Sequence, residues 1–270
     1  MTSTDMKEQI LHSLSPSYPW QEHFHYFRSL DSTNDRLKAM AKQGAPHGTV
    51  LIADRQTGGH GRLGRSFHSP GGVGVYLSIL LRPNCPPSAL MHLTCAAAVA
   101  MCDAVEASAG FRPGIKWTND LVYGKQKLGG ILTELGLTPK GMVDWAIIGI
   151  GINCCQQLSD FTPDIRDIAG SLATVTGGEV HRDRVAAAMM EALWKMDSVL
   201  LTCKTELLDR YRKDCVTVGQ QISLLRGDQV RHGTALDVDS EGALVVEFTD
   251  GHTEAVNSGE VSVRGMYGYV

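Results

Sequence analysis

Apolar residues run almost unbroken over strand lengths from Val73 to Leu81 and from Ala146 to Ile152, interrupted by glycine. Runs of that length and texture predict strands covered on both faces. The spacing further predicts strands at Thr49 to Ala53, Gly74 to Leu81, Ile115 to Trp117, Lys127 to Leu135 and Trp145 to Ile150. Helical periodicity appears between them. A short helix is expected to start at Ser32 or Thr33, either able to cap it, and to run through Leu37 and Met40 to Gly44, before Pro46. Ser88 to Gly110, rich in Ala, Met and Val, predicts a buried helix ended by glycine. His181 to about Tyr211 predicts one long helix with an apolar stripe through Val185, Met189, Leu193, Met196 and Leu200.

After Cys215 the texture changes to short alternating segments, Gln221 to Leu225, Gly233 to Val238, Ala243 to Phe248 and Val261 to Val263. Turn signals separate them at Arg226-Gly227-Asp228, Ser240-Glu241-Gly242 and Asp250-Gly251. The fold class expected is α+β: a central mixed β-sheet with helices, then a small C-terminal antiparallel β-barrel. The division is placed at residues 1–216 and 217–270.

Composition sets broad limits. A chain of 270 residues, 43% hydrophobic and 20% charged, suits one large core plus a small second domain. The formal charge of −4 offers nothing global to draw it to nucleic acid or anionic lipid. The seven cysteines include no C-x-x-C, and Cys95 and Cys102 fall on one side of a helix, so they read as reduced core thiols of a cytoplasmic protein, with no zinc spacing. Met1 to Trp20 holds acidic residues and two prolines but no apolar run, so neither signal peptide nor membrane span is expected there.

The candidate chemistry lies in Gln56-Thr57-Gly58-Gly59-His60-Gly61-Arg62-Leu63-Gly64-Arg65, which packs four glycines and two arginines into ten residues. Glycines bring backbone N–H groups close to a ligand, and arginines supply planar charged forks for phosphate or carboxylate oxygens. By itself the segment reads equally as a solvated turn. Three others accompany it: Lys116-Trp117-Thr118-Asn119-Asp120, followed by Lys127-Leu128-Gly129-Gly130-Ile131-Leu132-Thr133-Glu134, and, upstream, Asp31-Ser32-Thr33-Asn34.

In this order the segments resemble those of the biotin protein ligases, whose pattern runs S-T-N, Q-x-x-G-R-G-R-x-G-R, K-W-P-N-D, K-x-x-G-I-L-x-E and G-x-G-x-N. The last is matched by Gly149-Ile150-Gly151-Ile152-Asn153, and Gly259 to Gly265 is similar to the family's terminal strand. The resemblance implies a central domain related to class II aminoacyl-tRNA synthetases followed by a Src-homology-like barrel. It implies ATP-dependent formation of biotinyl-5′-AMP and transfer of biotin to one lysine of a biotin carboxyl carrier domain, as found in acetyl-CoA carboxylase. Biotin and ATP are then substrates, with Mg2+ accompanying them, and a homodimer is admitted.

Residue by residue, the resemblance implies that Ser32, Thr33, Asn34 and Gln56 meet the ureido ring, with Gly59, His60, Gly61, Arg62, Lys127, Gly130, Gly149 and Gly151 completing the biotin site. Arg62, Arg65, Phe67, Asn119, Lys127 and Asn153 are expected at ATP, and Arg62, Lys127 and Asp120 are the catalytic candidates. Without the resemblance, Ser32 and Thr33 are helix caps, Lys127 a surface lysine at a strand start, and the strand glycines a bulge. Asn119 and Asp120 hold the nucleotide side through magnesium or through a salt bridge to Arg62. Three positions depart from the pattern: His60 replaces an arginine, Thr118 a proline, and Phe67 a tryptophan that stacks on adenine. Competing readings are a lipoate or octanoate ligase of related fold and a non-enzymatic sensor or repressor using the adenylate. The stretch before the core, about twenty-five residues, is shorter than a winged helix needs.

Overall fold

Two strands, β3 (Gly74–Leu81) and β7 (Val143–Asn153), form the middle of the main sheet, and every residue of β3 is buried. The structure is a computed structural model describing residues 3–257 and 262–265. The sheet has seven strands in the order β1-β2-β3-β7-β6-β5-β4. The others are β1 (Phe24–Phe27), β2 (Thr49–Ala53), β4 (Gly114–Lys116), β5 (Asp120–Tyr123) and β6 (Gln126–Leu137). Only β1 and β2 pair in parallel, so the sheet is mixed.

The two faces bury different alternating sets. Leu51, Leu80 and Ile147 pack with Leu37 and Ala41 of α2 (Thr33–Lys42), while Val50, Ile52, Ile79 and Ile148 join the larger core on the other side. That core includes residues from α1 (Ser3–Ser13), α3 (Leu93–Ala109), α5 (Arg182–Val199) and α6 (Lys204–Asp214). α4 (Leu172–Thr176) is a single short helix with a capping box at Ser171. Burial on both faces explains the unbroken apolar runs of β3 and β7.

Two helical expectations are corrected. Residues 87–90 form a separate turn, and α3 begins at Leu93 after Pro86 and Pro87; Gly110 ends it in the left-handed conformation as expected. The long helix from His181 is two helices. A single one would reach about 45 Å, whereas the Val199 carbonyl closes a turn with the Thr202 and Cys203 N–H groups and the helix ends there. α6 then buries Leu207, Leu208 and Tyr211 beside α3. Strands β1 and β5, four residues each, carry too little pattern to announce themselves.

The second sheet has five antiparallel strands in the order β11-β10-β9-β8-β12: β8 (Gln221–Arg226), β9 (Gln229–Val238), β10 (Leu244–Phe248), β11 (Thr253–Val256) and β12 (Ser262–Gly265). Gly227, Gly242 and Gly251 take positive φ at the turns. Gly259, Glu260 and Val261 of the expected terminal strand lie outside the described residues. This sheet docks on the first: Trp117 Nε1 donates to the Gly242 carbonyl at 3.1 Å, and Arg212 Nε to that of Val238 at 2.7 Å.

Candidate active site

The chain between β2 and β3 folds into a narrow loop over the sheet. Gln56 N–H donates to the Ser69 carbonyl, Phe67 N–H to that of Gly59, and Gly61 N–H to that of Arg65, the last at 2.7 Å. Leu63 and Gly64 both adopt positive φ at the tip, which tightens the turn and turns the arginines back over the strands. Gly59 has no room for a Cβ, which would stand 2.6 Å from the Phe67 carbonyl oxygen, so it serves the closure of the loop.

Below the loop is a cavity of about 490 Å3. Its walls include Ser32, Thr33, Asn34, Gln56, His60, Gly61, Arg62, Arg65, Phe67, Asn119, Asp120, Lys127, Gly130, Gly149 and Gly151. Of the residues expected here from the sequence, only Gly59 and Asn153 stand behind the wall. Asn153 Nδ2 donates to the Gly170 carbonyl at 2.9 Å, and the Gly170 N–H donates to that of Lys127. Asn153 thus fixes the segment that brackets Lys127. Lys116, Trp117, Leu132, Ile168 and Val263 also line the cavity. Lys116 and Trp117 sit in a segment that the sequence singled out, but Ile168 and Val263 are brought in by tertiary packing and carried no local signal.

One wall is charged. Arg62 Nη1 donates to Asn119 Oδ1 at 2.9 Å, and Lys127 Nζ to Asp120 Oδ1 at 2.6 Å. Asn119 is held in turn by donation from its Nδ2 to the Ile131 carbonyl at 3.0 Å. Burial lowers the Arg62 guanidinium from its ordinary value, the Asp120 charge opposes that, and neighbouring Arg65 adds to it. A guanidinium remains charged under such a shift. Arg62, Asn119 and Lys127 come from three separated stretches and converge only in the fold.

A second group of lining residues is neutral. Ser32 caps α2 by accepting from the Asp35 N–H at 3.3 Å, while Thr33 N–H donates to Gln56 Oε1 at 2.8 Å. Asn34 Nδ2 donates to Glu134 Oε2 at 2.8 Å. The strand glycines make room for side chains: a Cβ on Gly149 would lie 2.0 Å from Asn34 Oδ1, and one on Gly151 would lie 2.3 Å from the Phe67 ring. His60, where a permanent charge was expected to be lost, is tied at 2.7 Å to Asp35, which also pairs with Lys38. The loop is therefore laced to α2. The cysteines stand apart from this chemistry, and burial pushes the thiols of Cys95, Cys102, Cys154 and Cys215 upward.

A cavity lined by a charged cluster and by a separate neutral hydrogen-bonding cluster suits a ligand with an anionic part and a polar uncharged part. Comparison with known proteins supplies the family. Residues 26–153 match the biotin/lipoate A/B protein ligase family, and residues 217–264 match the biotin protein ligase C-terminal domain. The bifunctional ligase/repressor BirA of Bacillus subtilis is 35% identical over 231 residues, spanning 85% of this chain and 71% of that protein. The chain belongs to the biotin protein ligase family. Another relative, the biotin-acetyl-CoA-carboxylase ligase of Mycobacterium tuberculosis, is 32% identical over 85% of each chain. Among solved structures, the biotin protein ligase of Aquifex aeolicus in complex with biotin and ATP superposes with a TM-score of 0.76 at 28% identity, covering 90% of this ligase and 98% of that chain. The α+β class, with a mixed sheet followed by an antiparallel one, is the fold these ligases share.

Proposed function

We propose that the protein activates biotin with ATP and transfers it to a lysine of a biotin carboxyl carrier domain, such as that of an acetyl-CoA carboxylase. The observation that carries this is that one cavity is lined both by Arg62, Asn119, Asp120 and Lys127 and by Ser32, Thr33, Asn34 and Gln56. Biotin offers a carboxylate at one end and a ureido ring, one acceptor and two donors, at the other. The Aquifex structure with biotin and ATP, closely similar in fold, supports the same occupancy.

In the first step a biotin carboxylate oxygen bonds to the α-phosphorus of ATP, the bond from that phosphorus to the bridging oxygen breaks, and pyrophosphate leaves with the electron pair. Lys127 and Arg62 neutralise the two anions that must meet, and the loop at Arg62 to Arg65 screens the anhydride from water. In the second step the carrier lysine's amine attacks the biotinyl carbonyl, AMP leaves and an amide forms. Phe67 offers a ring to the adenine. Where Mg2+ accompanies the nucleotide, Asp120 and Asn119 would face it, and it would supply positive charge to the phosphates.

We assign the ligase chemistry to residues 1–216 and a docking or closing role to 217–270, on the ground that Val263 reaches the cavity wall. ATP–pyrophosphate exchange tests the reading. Exchange that depends on biotin and not on lipoate supports it, with label then passing to a carrier-domain lysine; exchange with lipoate, or none with either, overturns it.

A further inference from the structure

The chain leaves β2 at Asp54 and re-enters the sheet at Gly74, and the loop between them carries Gln56, Arg62, Arg65 and Phe67 to the cavity. Pairing between β2 and β3 stops at Ala53 and Tyr76, so the two stems of the loop need other ties. Asp54 supplies one. Its Oδ1 accepts from the Gly72 N–H at 3.1 Å, across the stems, and from Arg182 Nη1 at 2.7 Å. The same Arg182 nitrogen donates to the Gly74 carbonyl at 3.0 Å, so a single guanidinium holds both stems. Gly71 leaves room for the carboxylate, since a Cβ there would lie 3.2 Å from Asp54 Oδ2. Tyr76 Oη donates to the Pro70 carbonyl at 2.9 Å, and the Cys155 N–H to that of Val73 at 2.7 Å. Pro70 to Gly74 is thereby a fixed stem, and Phe67 lies just ahead of it.

Arg182 is the first residue of α5, a helix whose Val185, Ala186 and Met189 belong to the large core. It stands outside the motif segments of the sequence, and neither it nor Asp54 is among the residues lining the cavity. With side chains 14% and 24% exposed, the pair is screened much less than one in open solvent. We propose that Arg182 is a positioning residue for the reaction: through Asp54 and Gly74 it ties the base of the loop to the core, so that Arg62, Arg65 and Phe67 are held over the cavity. The inference rests on reading that cavity as the site of adenylation. An arginine suits the task because its planar fork is rigid and always charged.

The loop carries its own reporter. Trypsin needs an extended segment, and the tight turn through Arg62 to Arg65 presents one only when the loop opens, so cleavage there tracks the population of the open form. Two variants weaken the clamp from either side: Arg182→Met, which keeps the apolar part of the side chain and removes the charge, and Asp54→Asn, which is nearly isosteric. Cleavage after Arg62 or Arg65 in the ligand-free protein is expected to rise about tenfold in Arg182→Met and about fivefold in Asp54→Asn, the sizes associated with losing and with weakening a hydrogen bond between charged groups. Cleavage after Lys213 of α6, which needs wider unfolding, stays unchanged. Loss of preformed biotinyl-5′-AMP to solution, followed in a chase with unlabelled biotin and ATP, rises with the loop cleavage. Combining the two substitutions adds less than about twofold to the larger single effect, because both act on one contact.

Unchanged cleavage in the loop, a rise after Lys213 in step with it, adenylate held as in the wild type, or effects that multiply in the double variant each overturn the proposal. If Arg182→Met does not fold, Asp54→Asn decides by the same measurements. Absence of biotin-dependent ATP–pyrophosphate exchange in the wild type removes the functional reading and this inference with it; normal exchange with unchanged loop cleavage or unchanged adenylate retention removes the inference alone.

Discussion

Replacing Lys127 by alanine separates chemistry from stability at the proposed active site. Lys127 Nζ is 2.6 Å from Asp120 Oδ1, with the two side chains 26% and 15% exposed. Losing a partly exposed pair of this kind costs about 1 kcal/mol of folding stability, which for a protein of this size shifts Tm by about 2–4 °C. The cost to adenylation is larger. Two unit charges about 4 Å apart attract by about 4 kcal/mol at an effective dielectric of 20, and removing one stabiliser of developing charge from an enclosed site costs about 2.7–4 kcal/mol. Adenylation in Lys127→Ala should therefore fall about 10²–10³-fold with the fold intact. Single-turnover formation of biotinyl-5′-AMP measures the first quantity and thermal denaturation the second. Adenylation within about tenfold of wild type, or a loss that tracks a collapse in Tm, would refute the assignment of Lys127 to the substrate anions.

Arg62→Gly removes a guanidinium anchored to Asn119 and is expected to release the adenylate, seen on blots as biotin on bystander lysines; label confined to the carrier domain would count against a retention role. Gly149→Ala places a Cβ on Asn34 and should weaken biotin binding by about 1–3 kcal/mol through the displaced amide's lost hydrogen bonds, which titration calorimetry measures; wild-type affinity would show that the amide does not matter there. Burial raises the Asp35 carboxyl, but hydrogen bonds from Lys38 and His60 outweigh it and hold the group below its ordinary value. Its contribution is thus present above the unfolded value and lost as pH falls through the folded one, so Asp35→Asn should flatten the stability profile below about pH 4 in denaturant titrations; an unaltered acid limb would refute this. Finally, with a net charge of −4 and Arg62 and Arg65 among the residues lining the cavity, no sequence-specific retardation of promoter DNA is expected at physiological salt, even with biotin and ATP.

Much of the scaffold was legible locally. Thr49 to Ala53 and Gly74 to Leu81 emerge as strands over the expected residues because covering both faces of a strand demands continuous apolar side chains, and that demand is written in the order of residues alone. The Ser32 cap and the left-handed Gly110 are equally local, each a matter of one backbone conformation and one side chain. The residue types of the charged and neutral walls could also be named, because carboxylate activation needs cations and a ureido ring needs neutral hydrogen-bonding groups. Tertiary structure decided what those residues touch. The break after Val199 depends on where α6 finds α3, and Val263 reaches the cavity only because the second sheet docks there. Gly149 and Gly151 look in sequence like room for a ligand, yet the space is shared with Asn34 and Phe67, from a helix and a loop far away in the chain. The contacts of Ser78 join α2 and β3, elements that only the fold brings together. A hydrogen bond is set by position to within tenths of an ångström, and only packing supplies that.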